Sequence, residues 1–172
     1  MHRRHVINTA LAATALAVSG IAVRRVTMDQ PSMQATLDML ARLRQAAPSS
    51  SGAWNAYQVF THIAQSIDYS MTGYPELKSA AFRNTAGRAA FFAFSTAGAM
   101  QHNLAEPIPG APALATSGSV SDAIGRVMSA LKTFSAYTGP LRPHFAYGDL
   151  DKQEYTAAHI LHINNHMREI RA

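Results

Sequence analysis

The sequence predicts an all-α protein: a four-helix bundle with one extra helix, behind an N-terminal export-type segment. Three observations predict it. Apolar residues recur at three- and four-residue steps in five separate stretches, the period of a helix that buries one face. No stretch carries the sustained apolar–polar alternation of a half-buried strand. Hydrophobic residues make up 48% and charged residues 15% of 172, which suits one Ala-rich helical core and not a disordered chain. A chain of this length buries about two-thirds of its unfolded surface without a second domain. The expected organisation is therefore an export segment and flank over 1–25, then one helical domain over 29–172.

The N-terminal stretch MHRRHVINTALAATALAVSGIAVRR opens on Arg3 and Arg4, continues as an apolar run from Thr9 to Val23, and contains the small residues Gly20 and Ala22. A charged start, a short apolar run and small residues near a cleavage point make up an export signal. The paired arginines followed by Val6 and Ile7 resemble a twin-arginine signal, with His2, Val6 and Asn8 departing from its usual residues. Cleavage is expected near Ala22, giving a periplasmic or extracytoplasmic protein with no stable membrane span. The alternative is an uncleaved anchor, although the run is shorter than the ~20 residues that cross a bilayer comfortably.

The first amphipathic helix is expected over 29–46, with Met33, Leu37, Leu40 and Leu43 on one face and Asp29 or Ser32 as cap. Pro48 to Gly52, PSSSG, reads as a turn. A second helix is expected from about Ala53 to Met71, carrying Trp54, Tyr57, Val59, Phe60, His62, Ile63 and Ile67 and ended by Gly73 and Pro75. A third runs from about Leu77 to Gln101, with Phe82, Ala86, Ala89, Phe92 and Ala93 as its apolar side and Phe91, Phe92 and Phe94 as core. Gly87 and Gly98 weaken its continuity. Asn103 to Gly118, with three prolines and two glycines, is a loop, and loops this long often border a site. His102 and His144 are expected in exposed loops. A fourth helix starts at a Ser119 to Asp122 cap and reaches Tyr137, burying Ile124, Val127, Met128, Leu131 and Phe134. After a second loop, 139–150, Asp151 and Glu154 form a capping-box pair at the head of the last helix, which reaches about Ile170.

That last helix carries His159, His162 and His166. At about 100° per residue the three project within about 60° of one another, beside Ile160, Leu161 and Ile163. A lone histidine on a buried face is most simply a packed side chain. Three at spacings of three and four point further, because neutral imidazole is the commonest protein ligand for divalent transition metals. His62 stands close to the apolar stripe of the second helix, where taken alone it reads as an ordinary partly buried histidine.

The run WNAYQVFTHIAQS, Trp54 to Ser66, resembles the second-helix signature of the DinB-like superfamily, in which a tryptophan, a valine-rich turn and a His-Leu-Ala recur at this spacing. The stretch from Gly148 to Ile170 resembles, without gaps, the last helix of a branch of that superfamily known only as a domain of unknown function. The resemblance implies a helical bundle in which His62, His162 and His166 bind a divalent metal, zinc or nickel. His159 is implied as a second-sphere or core residue. Asn165 stands where a second adjacent histidine is usual, and Glu169 where glutamine is usual. Pro143-His144-Phe145 replaces a more familiar His-Pro-x-Phe order. Asp68, Tyr155 and Glu154 are the further candidates to orient an imidazole or relay a proton.

Composition limits the alternatives. There is no cysteine, so disulfides, thiolate ligands and a cysteine nucleophile are excluded. Leaving out Arg3 and Arg4 reduces the formal charge of +5 to +3, spread without a basic stripe, so no nucleic-acid partner is expected. Three imidazoles leave a dication positions for water or a small-molecule substrate, which suits a metal-dependent hydrolase or transferase. A non-enzymatic exported metal-binding or interaction protein is the alternative, and a homodimer fits either.

Overall fold

A computed structural model of the protein describes residues 32–172, so the export segment, Asp29 and Pro31 lie outside the described residues. Within them the chain is mostly helical. Helix α1, Met33–Ala46, is capped by the Ser32 hydroxyl, which accepts from the Ala35 N–H, and ends where Ala47 adopts a left-handed conformation. Helix α2, Ala56–Thr72, begins at a reciprocal capping box between Asn55 and Gln58, so Trp54 precedes the helix. Its cap Gly73 sits at φ +108, a conformation that favours glycine.

The third helical segment is one continuous run in three pieces: α3 (Ala80–Phe82), a π-helical turn (Arg83–Gly87) and α4 (Arg88–Ala97). The glycines that weakened its continuity both have a local reason. Gly98, at φ +67, closes α4 with a left-handed cap. Gly87 lies in the π turn, where a Cβ would overlap the carbonyl oxygen of Ala146, so its bare backbone lets the 144–148 loop dock against the helix. The face expected to be apolar core is corrected: Phe82, Ala86, Ala89, Phe92 and Ala93 are all exposed, Phe92 to 71%, and Phe91 alone of the three neighbouring phenylalanines is buried. The extra residue of the π turn shifts register, and docking at Gly87 selects Gly87 and Phe91, one helical turn apart, as the inward side.

Helix α5, Val120–Ala136, begins at Ser119, whose hydroxyl accepts from the Asp122 N–H, and buries Ala123, Ile124, Val127, Ala130, Leu131 and Phe134. Helix α6, Lys152–His166, starts at the expected capping box of Asp151 and Glu154. The ammonium of Lys152 donates to the carbonyls of Phe134 and Tyr137, tying the head of α6 to the end of α5. Helix α2 packs most extensively on α5, and α1 also lies against α5, around a core of Leu40, Phe60, Ile63, Leu131 and Phe134.

Two short pairings went unexpected. The last helix stops at His166, and Ile170–Arg171 (β2) pairs antiparallel with Ser49–Ser50 (β1), in the stretch expected to be only a turn. A two-residue ladder has no periodicity for a sequence to display. In the second loop, His144 and Gly148 form an isolated antiparallel bridge that makes a tight turn.

Candidate metal centre

The i, i+4 pair of α6 faces the histidine of α2. Nε2 of His162 lies 3.2 Å from Nε2 of His62 and 3.0 Å from Nε2 of His166. One nitrogen from each of the three rings falls within 4.8 Å of the others. His62 is 4% exposed and His166 0%, while His162 is half-buried. The ring of Trp54, 5.0 Å from that of His62 between centroids, braces it from outside the helix.

The donor set fits a divalent ion. Ligand nitrogens about 2.0–2.1 Å from a tetrahedral ion lie roughly 3.3 Å apart, close to the two separations found. Hydrogen bonding alone accounts for them poorly. A neutral ring nitrogen is either one N–H or one in-plane lone pair, so Nε2 of His162 cannot make a well-directed bond to both neighbours. Burial holds the rings in the neutral form that ligation needs: it lowers His62 to about 4 and His166 to about 3, with charge repulsion from neighbouring histidines adding to it. His162 is held well below its ordinary value by burial first and then by His166 and His62. Nδ1 of His62 and of His166 are buried without a hydrogen-bond partner among the described residues.

His159 shares a face with this pair yet goes elsewhere, for a reason that lies in helix direction. Helices α2 and α6 run antiparallel, so stepping from His62 to Ser70, about 12 Å along α2, is matched by stepping back along α6 to His159. There His159 Nε2 meets the Ser70 hydroxyl at 3.3 Å, and that hydroxyl itself donates to the Ile67 carbonyl. The other candidate orienting groups also spend their polar atoms away from the trio. The Tyr155 hydroxyl donates to the Arg142 carbonyl at 2.7 Å, Asp68 pairs with Arg126 at 3.2 Å, and Glu154 pairs with Arg88 at 2.6 Å.

Two histidines expected at the exposed surface are not there. His144 is 8% exposed, its ring stacked 4.3 Å from that of Tyr147, and its Nδ1 accepts from the N–H groups of Ala146 and Tyr147. Burial lowers it, like His159, to about 3. His102, at the head of the long loop, is half-buried with its ring centroid 5.2 Å from that of His162 and 5.4 Å from that of His166. The signal that could have found it was the loop itself, whose length and prolines already marked it as bordering a site.

Beside the trio lies a cavity of about 230 Å³, bounded by His62, His162, His102 and His144 together with Met100 and Ile108. That is below the roughly 300–1,000 Å³ of drug-sized ligand sites and suits a small molecule.

The family described as "Protein of unknown function (DUF1569)" matches residues 22–172. Neither a curated protein nor a solved structure matches the chain.

Proposed function

We propose, for a chain that belongs to the family described as protein of unknown function (DUF1569), that it binds one divalent metal ion through His62, His162 and His166 and admits a small molecule to the cavity beside them. The observation that carries this reading is the convergence of three neutral ring nitrogens from two helices, at separations that suit one ion better than any hydrogen-bond pattern. A donor set of nitrogen alone suits zinc or nickel, and not the oxygen-seeking magnesium or calcium. The resemblance to DinB-like bundles and the export-type segment support the same reading, with the protein acting outside the cytoplasm.

When bound, the ion supplies Lewis acidity to water or to a substrate carbonyl or phosphoryl group. The chain's own residues do the rest. Burial keeps the three imidazoles unprotonated, Trp54 fixes the ring of His62, and Met100 and Ile108 present an apolar wall that limits water around the reacting group. Hydrolysis is the reaction class favoured over thiol transfer, because an exported protein meets little of a cytoplasmic thiol. Metal sequestration without catalysis is the second reading, favoured by the ring of His102 standing against the site.

Calorimetric titration of zinc into chelator-stripped protein tests the proposal. One site per chain is expected, weakened at least roughly 100-fold in His162→Ala. A wild-type protein without a stoichiometric site overturns it. Turnover of small esters or phosphoesters that vanishes on stripping selects the enzyme; its absence from the loaded protein selects sequestration.

A further inference from the structure

His102 carries a ring nitrogen with nothing to do. Its Nδ1 lies 2.9 Å from the carbonyl oxygen of Asn103, and a carbonyl can only accept, so Nδ1 holds the proton and Nε2 holds a lone pair. That Nε2 is buried and has no hydrogen-bond partner among the described residues. Buried ring nitrogens are rarely left so, and each one calls for an explanation. A backbone carbonyl on one nitrogen and a bare lone pair on the other is how protein folds commonly orient a ligating imidazole.

The position of the ring supplies the explanation. Centroids within the trio are separated by 5.1, 5.2 and 4.8 Å. His102 stands 5.2 and 5.4 Å from two of them, next to the cluster, while the three nitrogens that fall within 4.8 Å of one another are those of His62, His162 and His166. The chain leading to it is fixed: Gly98 ends α4 with a left-handed turn, and Met100, 6% exposed, anchors the two-residue approach in the interior.

Resting on the three-histidine reading above, we infer that His102 donates Nε2 as a fourth imidazole to the same ion. The resting centre is then an all-histidine N4 site, contributed by two helices and one loop. Because a loop holds the fourth ring, it is the ligand that can yield. His102 also borders the 230 Å³ cavity, so a small molecule held there would meet this ring beside the ion.

X-ray absorption at the zinc edge, on wild-type protein and His102→Ala loaded with one equivalent of zinc alone, tests the inference. Four imidazoles are expected around zinc in the wild type and three in the variant, with the variant's zinc affinity lowered at least roughly tenfold. Three imidazoles in the wild type, or a count and affinity unchanged by the substitution, overturn the inference while leaving the three-histidine site standing. Failure of the wild type to bind zinc overturns both, and the wild-type count decides the matter alone if the variant does not fold.

Discussion

Nε2 of His62 and Nε2 of His162 lie 3.2 Å apart although 100 residues of chain separate them. One tautomer can satisfy one such contact as an N–H···N hydrogen bond, but the ring of His166 puts a second Nε2 against the same nitrogen of His162, and a single N–H or lone pair is not well directed at both. The arrangement is therefore best understood as one that an ion completes. In the metal-free protein these contacts are a source of tension, and metal binding should stabilise the fold by mass action. At 100 times its dissociation constant, zinc adds about 2.7 kcal/mol, or roughly 5–10 °C of melting temperature for a domain of this size. Thermal melts with and without zinc check this, and His166→Ala should abolish the shift.

The five histidines that burial holds below their ordinary value, His62, His144, His159, His162 and His166, make stability depend on pH. Burial lowers His144 and His159 to about 3, whereas the unfolded chain titrates them near 6.5. Between those values the unfolded state binds protons that the native state refuses, so stability is full above about pH 6.5 and is lost as pH falls towards 3. Each such histidine contributes up to about 1.4 kcal/mol per pH unit in that window. Denaturant unfolding in chelator at pH 7.5, 6 and 5 should show the slope, and His159→Gln should make it shallower by about that amount.

Gly87→Ala should cost about 3 kcal/mol or prevent folding, because the added Cβ meets backbone, the Ala146 carbonyl, and no rotamer change relieves it. The turn that would have to move carries His144. Thermal unfolding measures the loss, and an unchanged melting temperature would mean the 144–148 turn does not dock where described.

Adjacent phenylalanines on α4 should behave oppositely. Phe91→Ala removes a ring that is 4% exposed and should cost about 3–5 kcal/mol, whereas Phe92, 71% exposed, should tolerate serine within about 0.5 kcal/mol. Equilibrium unfolding of the two variants checks the inward side of this helix directly.

The same helix marks where the sequence could be read and where it could not. Helices α1, α2, α5 and α6 follow from periodic apolar residues and side-chain caps at Ser32, Ser119 and Asp151, all of which are local signals. The inward face of the α3–α4 segment is not local: the 144–148 loop docks at Gly87 in the π turn and turns Gly87 and Phe91 inward, leaving Phe82 and Phe92 outside. That turn depends on contact with a loop about 60 residues away. Helical spacing singles out His159, His162 and His166, and the resemblance narrows these to His162 and His166 and adds His62. His102 carries only the weaker signal of the long loop it heads, because a loop has no period to place its ring; a left-handed glycine and a buried methionine set that position.

Elemental analysis of the wild-type protein purified from its native compartment tests the central claim most directly. About one divalent transition-metal ion per chain, lost on substituting His162 by alanine, is the predicted result. Protein that is fully folded, active in any cellular assay and free of stoichiometric metal would contradict it.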